Sequence, residues 1–183
     1  MNGEQLIELY RQGNRNFANI DLTDAKLRGV TLLRIDLRGA TLNGVDLSGA
    51  NLIDANLAGV NLVEANLRSA LLRGANFMDA DLSWANLTWT NSTGAKFIRS
   101  NLRLTNFSGA NLIDADFSQA MMEGVNLRGT NLRGTKLLQL KSIVNAEFAG
   151  ARNMDEATRE YLCSIASGTH PFTNNDTRAS LGC

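Results

Sequence analysis

A chain of 183 residues is long enough for one continuous hydrophobic core, and its 18 basic and 18 acidic side chains cancel to a net charge of zero. That balance argues against general binding to phosphate backbones, which draws on an excess of Lys and Arg, and equally against a strongly acidic decoy of DNA. No apolar run approaches the roughly 18 residues a membrane span needs, and the N-terminus lacks the basic segment and apolar stretch of a signal peptide, so an exported protein would be represented here by its mature form.

Residues 1–14 are predicted to form an N-terminal cap. Asn2 and Gln5 have the spacing of a capping box, Leu6, Leu9 and Tyr10 make an apolar face, and Gly13 stops the helix, so a short helix is expected over 3–12.

From Phe17 to Leu137, Leu or Phe recurs at every fifth residue, broken only by Ser92 and Met122 among 25 positions. A small residue stands two places before each, as in Ala25, Val45, Ala50 and Ala65, and Asn or Asp fills the place between in 18 of the 25. Of 16 glycines, 11 share one phase, from Gly29 to Gly134. Five residues match neither common backbone period. On a helix, at 100° per residue, they walk around the cylinder and build no stripe, and on a straight strand an odd period sends successive leucines to opposite faces. The conflict disappears if the chain turns after every unit. The small residue and Leu then point inward together, while Gly, Asn and Asp serve the corner because they tolerate unusual φ/ψ or bond their own backbone. Four sides close a square coil of twenty residues, and parallel coils stacked about 4.8 Å apart give roughly six coils and a rod about 30 Å long.

The far end departs from this phase, because an open β-helix end exposes both a sheet edge and its core. Leu138, Ile143 and Phe148 take over one residue out of step with Leu132 and Leu137, which predicts a bulge or loop near 138–142. Asn153 with Glu156 is expected to open a second helix that turns Met154, Ala157, Tyr161 and Ile165 toward the last coil. From Ser167 the chain is rich in Gly, Thr and Asn with the single proline, and an ordered but irregular tail is expected. The segments are thus 1–14, a β-helix over 15–151, and helix plus tail over 152–183, in one domain.

The units Ala40-Thr41-Leu42-Asn43-Gly44, Ala50-Asn51-Leu52-Ile53-Asp54 and Ala110-Asn111-Leu112-Ile113-Asp114 resemble the pentapeptide-repeat family. The resemblance covers residues 15 to about 151 and implies an all-β solenoid, a right-handed quadrilateral β-helix of roughly six to seven coils, whose members act as interaction surfaces rather than enzymes. The tail, with Leu162-Cys163, Ala166-Ser167-Gly168 and Thr177 to Cys183, is similar to tails of family members from the thylakoid lumen of cyanobacteria and plants. Both cysteines, Cys163 and Cys183, lie in it. They are either two unrelated free thiols, as a cytosolic protein allows, or a disulfide pinning the tail across the helix, where closing a loop of about 20 residues contributes on the order of 3 kcal/mol.

Catalytic and metal-ligand constellations are missing. His170 is the lone histidine and is expected at the surface of the polar tail. The Asp and Asn side chains are explained by their five-residue phase, and the glycines fall at corners rather than in a phosphate loop. No cofactor or metal is therefore expected. Ser92, where the axis expects Leu, reads either as a hydroxyl bonded to nearby backbone or as the mark of a ligand pocket. Large apolar residues at outward phases, Val63, Met78, Trp84, Trp89, Ile98 and Leu104, form the candidate partner surface, against the alternative that Trp lies flat over a neighbouring coil as packing.

These readings converge on a non-enzymatic interaction or scaffold protein that is a monomer, with an unidentified protein partner, no nucleic acid and no membrane insertion. The expected location is an oxidising compartment, thylakoid lumen or periplasm. Two other roles stay open: a DNA-mimicking topoisomerase inhibitor, whose known examples are acidic and dimeric, and a cytoplasmic regulator of cell differentiation.

Overall fold

The computed structural model describes residues 1–183. Its backbone is a four-sided coil. Single-residue parallel bridges join residue i to i+20 along the chain, from Asn16↔Asp36 and Asp21↔Thr41 to Asp116↔Lys136. A side two or three residues long supports one such bridge and no extended strand, so the ladder is built from isolated rungs. Between sides the chain turns through a hydrogen bond from the next small residue to the preceding Leu, as in Ala25 N–H to the Leu22 carbonyl (3.0 Å) and Ala40 to Leu37 (3.0 Å). The residue two after each Leu has positive φ, whether glycine, as Gly39 (63°), or not, as Asp54 (57°) and Arg34 (55°). This is the turn geometry that requires a left-handed third residue and explains the glycine phase.

Each remaining part of the repeat has a mechanical task. The Leu/Phe column and the small residues beside it are buried in one core, in which Phe77, Phe97 and Phe117 stack at 5.0 and 4.9 Å between ring centroids. The Asn or Asp side chain accepts the N–H two residues on, as Asp46 does from Ser48 (3.0 Å), and bonds its counterpart in the next coil, as Asn66 does to Asp46 (3.2 Å). Where Ser or Thr replaces the small residue, its hydroxyl donates to a backbone carbonyl, Thr105 to Leu82 (2.8 Å) and Thr135 to Leu112 (2.8 Å). Ser92 is fully buried and donates to the Thr90 hydroxyl (3.1 Å), which in turn donates to the Leu87 carbonyl (3.0 Å).

Helix α1 (Gly3–Arg11) carries both reciprocal bonds of the capping box between Asn2 and Gln5, and its Leu6 is buried in the same core. The register slip is a single extra residue, Lys141, after which the bridges run at a spacing of 21, as in Met121↔Ser142 and Asn126↔Glu147.

Three expectations for the C-terminus need correction. Helix α2 (Glu156–Ile165) is capped by Asp155, whose side chain accepts from Thr158 N–H (2.9 Å), and not by Asn153, which holds a left-handed turn (φ 61°). Met154, Tyr161 and Ile165 pack against the core as expected, but Ala157 is exposed, and Thr158 and Leu162 are the buried residues of the helix. The tail is not irregular throughout, because Asp176 caps a short helix α3 (Thr177–Leu181) that ends at left-handed Gly182 (φ 76°). His170 is 1% exposed, not a surface residue, because the tail folds back along the β-helix and closes over it. The tail also covers the last coil's edge: Asn145 N–H bonds the Ser167 carbonyl (2.8 Å), and Phe148 N–H bonds the Ser180 hydroxyl (3.1 Å). No helix is long and apolar enough to cross a membrane.

Candidate interaction surface

The turn positions at the corners present most of the large apolar side chains that face outward, since the side positions are mostly taken by core residues and by the polar ladder. The structure distributes the six predicted surface residues over three successive corners. Met78 and Ile98 stack one coil apart on the first, both half-buried. On the second, Val63 and Leu104 are half-buried and Trp84 is 53% exposed. Trp89 stands on the third, 63% exposed.

Trp89 combines the two readings given to it by the sequence. A Cβ built on Gly109, one coil along, would lie 2.5, 2.6 and 2.8 Å from ring atoms Cε3, Cζ3 and Cδ2, so the ring face covers that glycine while its outer face meets solvent. At the second corner, Leu104 leans over Gly124 in the same way. Here the tail adds what the sequence did not assign. Phe172 is 71% exposed and meets Trp84 edge to face, with centroids 6.4 Å apart. Arg103 and Glu123 form an ion pair (3.1 Å) on the adjoining column. Trp84, Leu104 and Phe172 thus make an aromatic ridge flanked by charge. The available signal for Phe172 was a large apolar residue directly after the single proline of a polar segment.

Phe172 is held in place from beneath. The His170 ring lies 5.9 Å from it and accepts at Nδ1 from the backbone N–H of Thr173 (3.2 Å) and Phe172 (3.4 Å). Glu147 occupies a ladder position mostly given to Asn or Asp. One carboxylate oxygen accepts from Ala149 N–H (2.8 Å), as the shorter side chains do, and the other reaches the Thr173 hydroxyl (2.5 Å) and Asn175 Nδ2 (2.6 Å) in the tail. Burial pushes His170 below its usual range against the pull of Glu147. Burial pushes Glu147 up, but the bonds from Thr173, Ala149 and Asn175 and the field of His170 outweigh it and hold the carboxyl low. The group is therefore a carboxylate beside a neutral imidazole at pH 7.

Cys163 of α2 is joined to Cys183, with Cα atoms 5.8 Å apart. Arg178 of α3 donates to the Cys163 carbonyl (2.6 Å) and Arg159 of α2 to the Gly182 carbonyl (3.1 Å), so the two helices are cross-bonded around the bridge. No group of three or more His, Cys, Asp or Glu side chains is placed to hold a metal ion.

The coil geometry and outward corners define a solenoid that displays side chains from a rigid frame. Its sequence matches the model of the pentapeptide repeats, in 8 copies over residues 16–52, 55–91 and 100–139, and the chain belongs to that family, which folds as a right-handed β-helix. Among solved structures it is similar to HetL of the cyanobacterium Nostoc sp. strain PCC 7120, a pentapeptide repeat protein involved in heterocyst differentiation regulation, with 30% identity over 82% of this chain and 70% of that one and a TM-score of 0.57. A pentapeptide repeat protein of the Arabidopsis thaliana thylakoid lumen matches at 34% identity, covering 80% of this chain and 90% of its own, with a TM-score of 0.46. QnrB1, a plasmid-mediated fluoroquinolone resistance protein, matches at 18% identity over 75% of this chain and 84% of its own, with a TM-score of 0.43. No curated protein matches the chain.

Proposed function

We propose that this protein performs no chemistry of its own and serves as a monomeric scaffold, one domain of six to seven coils closed by helices at both ends, that presents the ridge of Trp84, Leu104 and Phe172 to a protein partner. One observation carries the reading. Trp84 and Trp89 occupy left-handed turn positions, with φ of 62° and 60°, where every other turn of the repeat except that of Leu104 carries glycine or a polar residue. A non-glycine residue there costs about 1–2 kcal/mol, and with 53% and 63% of their surface exposed neither ring recovers the burial of a core aromatic. Large rings kept in strained, solvent-facing positions are the composition of a binding hot spot. Met78, Ile98, Val63 and Trp89 on the same and neighbouring corners widen the contact area.

The Cys163–Cys183 bridge supports an oxidising compartment, thylakoid lumen or periplasm, because such bonds are rare in the cytosol. A second reading, a regulator of cell differentiation in the cytoplasm, is favoured by the likeness to HetL and opposed by the bridge. A DNA-mimicking topoisomerase inhibitor would need strong negative charge, and the net charge here is zero. The test is affinity capture from the native organism with wild-type protein and a Trp84→Ala, Phe172→Ala variant of unchanged melting temperature. A captured partner should bind the variant at least about fivefold more weakly, since truncating an aromatic anchor removes 1 kcal/mol or more. A partner held equally by both would remove this ridge from consideration.

A further inference from the structure

Once the repeat is accounted for, the tail's attachment stands out, because buried polar and ionisable groups carry it. Residues 168–176 lie along the side of the β-helix with little apolar surface, and Phe172, their one large side chain, faces solvent. What fixes them is buried polar bonding. Glu147, fully buried, receives three donors, two of them from the tail. His170, 1% exposed, receives two tail N–H groups at Nδ1.

We propose that residues 168–176 are an acid-released latch: Glu147 and His170 hold the tail closed at neutral pH, and protonation of the pair frees it while the Cys163–Cys183 bridge keeps it tethered. The chemistry rests on the donor count. A carboxylate is the one side chain that can accept three donors without offering a proton of its own; protonated, it turns an O–H toward two N–H groups that only donate and leaves the Thr173 hydroxyl as its one acceptor. A proton on His170 Nδ1 likewise faces the N–H of Phe172 and Thr173, leaving the Thr173 hydroxyl (3.2 Å) as its one acceptor. Glu147 and the Gly124 backbone favour a proton on the ring, but burial outweighs them; Glu123 beside Gly124 is paired with Arg103, and Asp176 is spent on capping α3.

Both groups hold their protons less tightly closed than open, so closure is fully favoured above the ordinary histidine range and weakens as pH falls, first through His170 and then through Glu147. One proton taken up on opening raises the open fraction by up to about tenfold per pH unit below about 6.5. Release would also carry Phe172 away from Trp84, so the latch decides whether the ridge is complete. The latch itself stands on the cluster's geometry and not on that ridge binding anything.

The chain has a single histidine, so a proton NMR titration of the intact, oxidised protein reads it without ambiguity. His170 should titrate below 6.5, and the amide signals of Thr173 and Asn175 should move with the same midpoint while those of the repeat stay fixed. A His170 midpoint at or above 6.5, or tail amides that ignore its protonation, would overturn the proposal. His170→Asn retains an acceptor near Nδ1 but does not titrate, and it should keep the tail signals closed at pH 5.5. Opening of this variant at the wild-type pH would remove His170 from the latch. The wild-type titration decides the question whether or not the variant closes normally.

Discussion

The placement of Trp89 over Gly109 can be tested by adding one methyl group. An alanine at position 109 would bring its Cβ to 2.5 Å from Cε3 of Trp89, whereas the same change at Gly129, one coil further along that corner, meets nothing within 4 Å. The two glycines have nearly the same backbone, with φ of 71° and 67°, so both substitutions carry the same left-handed penalty of about 1–2 kcal/mol, relieved by about 0.4–1 kcal/mol from the less flexible unfolded chain. Their difference isolates the ring. Carbon atoms settle near 3.5–4.0 Å, so the indole must retreat by about 1 Å. With 63% of its surface free it swings outward rather than forcing the backbone, at about 0.5–1.5 kcal/mol for an off-rotamer side chain plus lost contact.

At roughly 2–4 °C per kcal/mol for a chain of this size, Gly109→Ala should melt a few degrees below Gly129→Ala by far-ultraviolet circular dichroism. In a Trp84→Phe background, where Trp89 is the sole tryptophan, its emission should shift for Gly109→Ala alone. The stability gap should vanish once Trp89 is also alanine, because the two changes act through one contact. Equal melting temperatures, or a gap that survives in the Trp89→Ala background, would refute the stacked position of the ring and with it the idea that corner side chains lean onto the following coil.

Leu52→Ala should cost about 2–5 kcal/mol, since Leu52 is fully buried in the column that also holds Leu32 and Leu72, while exposed Arg73→Ala should change stability by less than about 0.5 kcal/mol in the same denaturant titration. Equal midpoints would contradict the inward phase. Reduction of Cys163–Cys183 should leave the far-ultraviolet spectrum of the repeat nearly unchanged but hasten tryptic cleavage after Arg178, which is cross-bonded to the Cys163 carbonyl. Two free thiols in freshly isolated native protein would argue against both the bridge and the oxidising compartment.

The repeat was legible because a five-residue period has few physical solutions: Leu and Ala must go inward, and glycine must take the turn position that φ of 63° at Gly39 and 66° at Gly49 demands. Even the slip was visible, since one extra residue, Lys141, moves every later Leu or Phe by one place. The tail was not legible, for an equally physical reason. Its burial comes from polar groups whose partners lie 26 and 28 residues away, as Thr173 and Asn175 do from Glu147, and no local pattern announces such a pairing. His170 was placed at the surface because a polar neighbourhood usually means solvent; here the polar neighbours are the wall that encloses it. The start of α2 was misplaced by two residues, because Asn153 and Asp155 both suit a cap, and the last turn of the solenoid claims the first of them, while Met154, Tyr161 and Ile165 still face the core.

Function in such a fold has to reside where the repeat does not fix the residue type. A position held to one residue type by the repeat is explained by core, ladder or turn, which leaves recognition to the departures and to the variable residue after each Leu. Among the departures are Trp84 and Trp89 at turn positions mostly filled by glycine or polar residues, Glu147 at a ladder position mostly given to Asn or Asp, and Ser92 on the axis. Of these, Ser92 is satisfied internally by Thr90, and half of Glu147 still performs the ladder task through Ala149. What remains is the second oxygen of Glu147, committed to the tail, and two indoles facing water. The tail carries Phe172 to the first of those indoles, so both unexplained features converge on one corner of the solenoid. The last coil is already closed by α2, whose Leu162 is buried in the core as Leu6 of α1 is at the other end. The polar fastening of residues 168–176 is added to that closure, and such an addition is what a movable cover needs and a plug does not.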